Sequence, residues 1–183
     1  MKTIILFAVV LFGVTFSMAQ IKVSNLRTEN QVNPVGLDMT APRFSWTLLS
    51  AKRNVKQTAY EIVVKQNKNI VWNSGKILSD AYIHISYSGQ QLQSGNRYTW
   101  QVRVWDNQGN QSDWSAPANY SIAFLNPLQE FTAQWISSGL KGDTAFGIVP
   151  QFRKQFSSSK KIIYATAYIT AKGVYEAHLN GKR

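Results

Sequence analysis

Apolar and polar residues alternate one by one along most of this chain, the period of strands with one buried and one wet face. In PRFSWTLL, Phe44, Trp46 and Leu48 point one way, and Arg43, Ser45 and Thr47 the other. In AYEIVVK, Tyr60, Ile62 and Val64 share a face opposed by Glu61 and Lys65. In RYTWQVRVWD, Tyr98, Trp100, Val102 and Val104 alternate with Arg97, Thr99, Gln101 and Arg103, and Trp105 breaks the rhythm. Shorter candidates are Val23 to Arg27, Asn69 to Trp72, Tyr82 to Ile85 and Ala118 to Ile122. About seven strands in about one hundred residues predict an all-β immunoglobulin-like or fibronectin-III-like sandwich over residues 20–124. No stretch has the period of an amphipathic helix.

Local signals support that fold. Leu92 precedes Tyr98 by six residues, a spacing that suits a tyrosine corner, in which the phenol bonds upstream backbone. Asp106-Asn107-Gln108-Gly109-Asn110 reads as a polar turn, and Ser112-Asp113-Trp114-Ser115 leads to Pro117, which belongs at an edge because it cannot donate to a ladder. Leu125-Asn126-Pro127 reads as a linker, since the residue before proline is pushed out of helical geometry.

Beyond the linker the alternation restarts in FTAQWI (131–136), QFRKQF (151–156), IIYATAYITA (162–171) and Val174 to Leu179. Ile163, Ala165, Ala167 and Ile169 form one face, as do Tyr175, Ala177 and Leu179. Asn180-Gly181 then signals a tight hairpin, because both central residues of a type I′ turn need positive φ. Only Lys182 and Arg183 follow. Three or four strands cannot cover their own apolar face, so residues 125–183 are expected to begin a second, incomplete β-sandwich at the front of a longer protein.

Residues 1–19 read as a signal peptide: Lys2, an apolar run from Ile4 to Phe16, then Ser17-Met18-Ala19 with small residues where a signal peptidase reads. Cleavage after Ala19 would leave a soluble, exported product, periplasmic or extracellular; a retained anchor or buried strand is the alternative. With no cysteine at all, stability must come from burial, which 44% hydrophobic and 13% aromatic residues can support. The formal charge is +11, but the cations are scattered singly (Lys22, Arg27, Lys52, Arg53, Lys56, Arg97, Arg103). They read as solvated faces rather than a nucleic-acid footprint.

Chemistry is sparse. The nine acids are Glu29, Asp38, Glu61, Asp80, Asp106, Asp113, Glu130, Asp143 and Glu176. Glu61 and Glu176 fall on wet strand faces, Asp106 and Asp113 in turns, and Asp38 is placed to stabilise the Gly36-Leu37-Asp38 turn. Nothing at these spacings supplies the burial or like charge that raises a general acid's pKa. His84 and His178 are isolated and read as wet-face strand residues, not metal ligands. No phosphate, dinucleotide or nucleophile-elbow motif occurs, so no catalytic, cofactor-binding or metal residue and no cofactor is assigned. Asn119-Tyr120-Ser121 matches a glycosylation sequon inside an expected strand. Trp72, Trp105 and Trp114 either stack on sugars or pack against protein, the second being the ordinary role. Arg97 or Arg103 lying over an indole would stabilise the sheet through cation–π contact.

In their order, VNPVGLD (32–38), APRFSW (41–46), QTAYEIVV (57–64), VWNSGKI (71–77) and LQSGNRYTWQVRVWDNQGNQSDWS (92–115) resemble the start of bacterial α-L-rhamnosidases. AQWIS (133–137), FRKQF (152–156) and AYITAKGVYEAHLNGKR (167–183) continue the resemblance, with Phe131 standing where tryptophan is expected. The resemblance implies an exported inverting glycosidase that removes terminal α-L-rhamnose from glycans. It implies a fibronectin-III-like sandwich, a jelly-roll-like sandwich, and an α/α-barrel whose two carboxylates stand roughly 6.5–9.5 Å apart. That barrel would lie beyond Arg183, so this chain is expected to be non-catalytic and to pack on the missing domain, meeting rhamnose-containing glycan only through the parent enzyme. The alternatives are a stand-alone fibronectin-type adhesion module and a glycan-binding module that uses exposed tryptophan.

Overall fold

Among the described residues the chain forms eight strands and one short helix. The computed structural model describes residues 21–139 and 149–183; the signal-peptide reading and Asp143 lie outside them. The strands are β1 (Lys22–Thr28), β2 (Arg43–Leu49), β3 (Gln57–Gln66), β4 (Asn69–Asn73), β5 (Ile77–Leu78), β6 (Ile85–Ser86), β7 (Arg97–Asp106) and β8 (Ala118–Ser121). Helix α1 spans Pro127–Glu130. One antiparallel sheet has the order β1-β2-β6; the other runs β4-β3-β7-β8, with β5 also pairing to β3. Among the described residues no helix is long and apolar enough to cross a membrane.

The two sheets bury their apolar faces against each other as an immunoglobulin-like sandwich. Phe44 and Trp46 from β2 meet Tyr60, Ile62 and Val64 from β3 and Tyr98, Trp100, Val102 and Val104 from β7 in one core cluster. Aromatic rings join the layers, with the Phe44 centroid 4.4 Å from that of Trp100 and 5.8 Å from that of Tyr120, while Tyr98 stacks on Tyr120 at 5.3 Å within one sheet. Both buried indoles find acceptors, as indole N–H groups in a core must. Trp100 Nε1 donates to Thr28 Oγ1 at 3.1 Å, and Trp46 Nε1 donates to Gln57 Oε1 at 3.1 Å. The buried Tyr120 hydroxyl has no partner, and burial pushes its pKa up.

The tyrosine corner is present. The amide of Gln93 donates to Tyr98 Oη at 3.0 Å, with Leu92 and Tyr98 both in the core. Tyr98→Phe is expected to leave that amide unanswered and to cost about 1–3 kcal/mol in a urea unfolding titration. An unchanged midpoint would show that the corner carries no weight.

Four expectations need correction. Tyr82 to Ile85 is not a strand: His84 takes φ 56°, which breaks the ladder, and only Ile85–Ser86 pairs with β2. Ser45 is buried, not wet, because its hydroxyl accepts the His84 amide at 3.0 Å. Glu61 is also buried, because the register of β3 on β7 sets it opposite Arg103, which binds it. Asp38 is exposed, and the bonds that hold its loop come from elsewhere. Ser121 Oγ accepts the Gly36 amide, and Leu37 exchanges backbone bonds with Ser121 and Ala123.

By contacts the chain divides into two units, the first ending at Ala133 and the second running from Gln134 to Arg183. The Leu125-Asn126-Pro127 stretch leads into α1, whose Glu130 carboxylate accepts from the Asn126 amide and from Ser94 Oγ, both at 2.9 Å. Phe131 sets its ring edge-on to Phe124 at 6.0 Å.

In the second unit, QFRKQF, IIYATAYITA and Val174 to Leu179 form no ladder among the described residues, and their side chains are exposed; FTAQWI likewise forms none. A strand is held by a partner's N–H and C=O groups, and no described segment supplies them. The Asn180-Gly181 turn does form, with φ of 51° and 77°, and is closed by reciprocal bonds between Leu179 and Lys182.

Candidate functional surface

Each described carboxylate can be traced to its surroundings. Glu29 Oε2 meets Arg43 Nη2 at 2.7 Å, and its Oε1 accepts the Arg43 amide at 2.6 Å. The Arg43 side chain, by hydrogen bonding, holds the Glu29 pKa below the carboxylate range. Burial works to raise the Asp106 pKa, but hydrogen bonds from the Asn110 side chain and from the Asn110 and Gln108 amides outweigh it and lower it. These shifts run opposite to what a general acid requires. They belong to turn and loop anchors.

Glu130 ties down α1, Glu176 lies beside His178, and Asp38, Asp80 and Asp113 are exposed. His84 Nε2 bonds Asn30 Oδ1 at 3.1 Å in an exposed loop. Among the described residues no three His, Asp or Glu side chains gather as metal ligands.

The most organised group outside the core lies on the outer face of the β4-β3-β7-β8 sheet. Arg103 Nη2 meets Glu61 Oε2 at 2.7 Å, an opposite-charge pair set directly across two strands. The same guanidinium lies over the Trp114 ring at 4.7 Å and the Trp105 ring at 5.3 Å, and Lys76 Nζ sits over Trp105 at 4.4 Å. This is the cation–π stack expected of Arg103, extended by a lysine and an ion pair that the single-strand pattern did not reveal. Register arithmetic between β3 and β7 was the signal that would have paired Glu61 with Arg103.

Trp114 owes its position to the serines around it. Ser112 Oγ accepts the Val104 amide at 2.9 Å, and Ser115 Oγ accepts the Val102 amide at 3.1 Å. The backbone amides of both serines return bonds to the carbonyls of Val104 and Val102. The Ser-Asp-Trp-Ser stretch thus replaces a strand along the half of β7 that β8 does not reach. Trp72 belongs to the core margin, with Phe44 at 6.2 Å and Tyr87 at 5.2 Å.

The sequence profile of the Rha78A-like N-terminal immunoglobulin domain matches residues 23–126, more than half of the chain. The chain belongs to the Rha78A-like family. An α-L-rhamnosidase of Alteromonas sp. (strain LOR) is 35% identical to this Rha78A-like chain over 167 residues, covering 84% of it and 18% of the relative. One from Streptomyces avermitilis is 31% identical over 189 residues, covering 90% and 18%. The crystal structure of the Streptomyces avermitilis α-L-rhamnosidase complexed with L-rhamnose superposes with a TM-score of 0.55 at 36% identity, over 57% of this chain and 11% of that one. The α-L-rhamnosidase from Dictyoglomus thermophilum gives a TM-score of 0.55 at 36% identity, over 57% and 12%. The Rha78A-like chain thus spans about a fifth of the curated relatives it matches and corresponds to a small, accessory N-terminal part of them.

Proposed function

We propose that this chain is the front portion of an exported α-L-rhamnosidase, in which a separate domain hydrolyses terminal α-L-rhamnose from glycans. The sandwich supports and orients that domain, and the second unit begins a jelly-roll-like module whose exposed apolar residues pack within the parent enzyme. One observation carries the reading: 84% or more of the chain aligns with only 18% of proteins named α-L-rhamnosidases. The lowered carboxylate pKa values fit a supporting role, since neither Glu29 nor Asp106 is poised to give up a proton near neutrality. The first nineteen residues would direct export and be cut after Ala19.

The purified chain, incubated with an aryl α-L-rhamnoside, is expected to release no phenol above a buffer blank. Turnover that scales with protein concentration would overturn the supporting role. Sequencing of the secreted product is expected to read from Gln20, and an N-terminus still at Met1 would remove the export claim.

A further inference from the structure

The outer face that carries Trp114 has more order than a solvated sheet surface requires. A shallow recess of about 280 Å³ lies there, walled by Trp114, Val63 and Ile70, with Gln101, Asn73, Lys65 and Glu61 at its polar positions. Trp114 is 37% exposed, the serine bonds hold the backbone on either side of it, and Arg103 lies over its ring at 4.7 Å. A ring packed against a guanidinium on an anchored backbone has less freedom to lose when something stacks on it, which favours affinity.

The polar groups are equally placed. Gln101 Nε2 donates to Ser115 O at 2.8 Å, which fixes the amide and aims its other end away from that bond. Asn73 Oδ1 accepts the Gly75 amide at 2.8 Å, leaving its NH2 group as a donor. An apolar platform ringed by a few oriented amides is the composition of a saccharide site, where ring C–H faces meet an aromatic and hydroxyls meet amides.

Charge selects among saccharides. The carboxylate at this face, Glu61, is neutralised by Arg103 at 2.7 Å. Lys65 makes no ion pair among the described residues, and Lys76, over Trp105, adds a second positive charge along the same sheet face. The face is therefore net positive on a chain of formal charge +11. An anionic group placed near Lys65 would gain Coulomb attraction without displacing an existing partner.

We propose that this face binds an acidic oligosaccharide, with one pyranose ring stacked on Trp114 and a neighbouring carboxylate or sulfate held by Lys65. The choice of a saccharide as occupant rests on the proposed function above. Glu61, the carboxylate in the recess, is held by Arg103 at 2.7 Å and is given no hydrolytic role. The recess would hold a charged polymer near the parent enzyme without touching the bond that is cleaved.

The test is calorimetric titration of the full chain with a galacturonic acid hexamer, and with a neutral xylose hexamer as comparison. The acidic oligomer is expected to bind in the micromolar to millimolar range, at least tenfold tighter than the neutral one, and to weaken as salt rises. Trp114→Ala leaves net charge unchanged and is expected to abolish binding, whereas Trp114→Phe keeps most of it. Lys65→Gln is expected to lower affinity for the acidic oligomer about tenfold and to leave the neutral one unaffected.

Equal binding by wild type and Trp114→Ala would mean diffuse attraction of a basic protein to any polyanion, and would overturn the site. So would failure of the acidic oligomer to bind wild type, or a preference for the neutral one. Unfolding midpoints of the variants, checked by circular dichroism, separate loss of the site from loss of the fold. Rhamnoside turnover by the chain would overturn the supporting role and leave this binding result standing, while absent binding would leave the supporting role intact.

Discussion

Replacing Trp100 with alanine is expected to cost about 3–5 kcal/mol of folding stability, the range for deleting a buried aromatic from a packed core. Trp100 is 1% exposed and lies at the centre of the interlayer contact, with the Phe44 ring 4.4 Å away. Phe44 in turn touches Trp72 and Tyr120, so a cavity at Trp100 unseats the neighbour that joins the two sheets. Loss of the indole also strands Thr28 Oγ1, itself 1% exposed, which accepts the indole N–H at 3.1 Å. That hydroxyl would be left without its donor in a dry interior, adding about 1 kcal/mol.

Domains of this size hold about 5–15 kcal/mol in total, so Trp100→Ala is expected to bring the sandwich close to unfolding at room temperature. Urea titration followed by circular dichroism measures it. Trp100→Phe, which keeps a ring against Phe44, is expected to lose clearly less than the alanine variant. A loss under about 1 kcal/mol for Trp100→Ala would mean that the layers are not joined through this ring.

The same residues show what a single sequence can disclose. Strand β7 is bounded as its alternation predicts, Arg97–Asp106, because every second residue from Tyr98 on is buried, the last of them Asp106 in the turn. Tyr98 and Leu92 announced their corner because the spacing is local. The short strands were less legible. Ile77–Leu78 is only two residues long and is held by pairing to Ala59 and Tyr60, a contact that its own sequence does not encode. His84 sits in a left-handed conformation held by its tertiary partners Ser45 and Asn30, which lie far from it in the sequence.

Glu61 was misplaced for a related reason. Alternation says which face a residue occupies, but not what covers that face. Arg103, Trp105 and Trp114 cover it from β7 and the loop beyond. The site candidates followed the same divide. Arg103 over an indole was readable from composition, whereas the amides that line the recess come from two strands and required the register. In the second unit the alternation is plain, yet alternation without a partner yields no ladder, so sequence pattern and observed structure part there on physical grounds.

Asp106→Ala should be the most damaging change outside the core, at about 3 kcal/mol, because one carboxylate organises the whole turn after β7. Its Oδ1 accepts the amides of Gln108 at 2.9 Å and Asn110 at 2.8 Å, and its Oδ2 accepts Asn110 Nδ2 at 3.0 Å. Gly109 completes the turn with φ of 83°, donating back to the Asp106 carbonyl at 3.1 Å. Alanine leaves these amides partly buried without an acceptor. Burial alone would favour the neutral acid, but the hydrogen bonds to the charged form outweigh it, so the folded pKa lies below the unfolded value of about 3.9.

The sign of the pH dependence follows from that direction. A depressed folded pKa gives stability that is complete above the unfolded pKa and disappears as pH falls through the folded one. The penalty of Asp106→Asn, which removes the charge but keeps an acceptor, should therefore be largest near neutrality and shrink steadily as the solution is acidified below about pH 4. Glu29, lowered by Arg43, gives an acid limb of the same sign, so Asp106→Asn should flatten that limb without abolishing it. Urea midpoints of wild type and Asp106→Asn from pH 7 downward measure the difference. A penalty that stays constant across that range would show that the carboxylate acts as an acceptor alone and that its charge adds nothing to the turn.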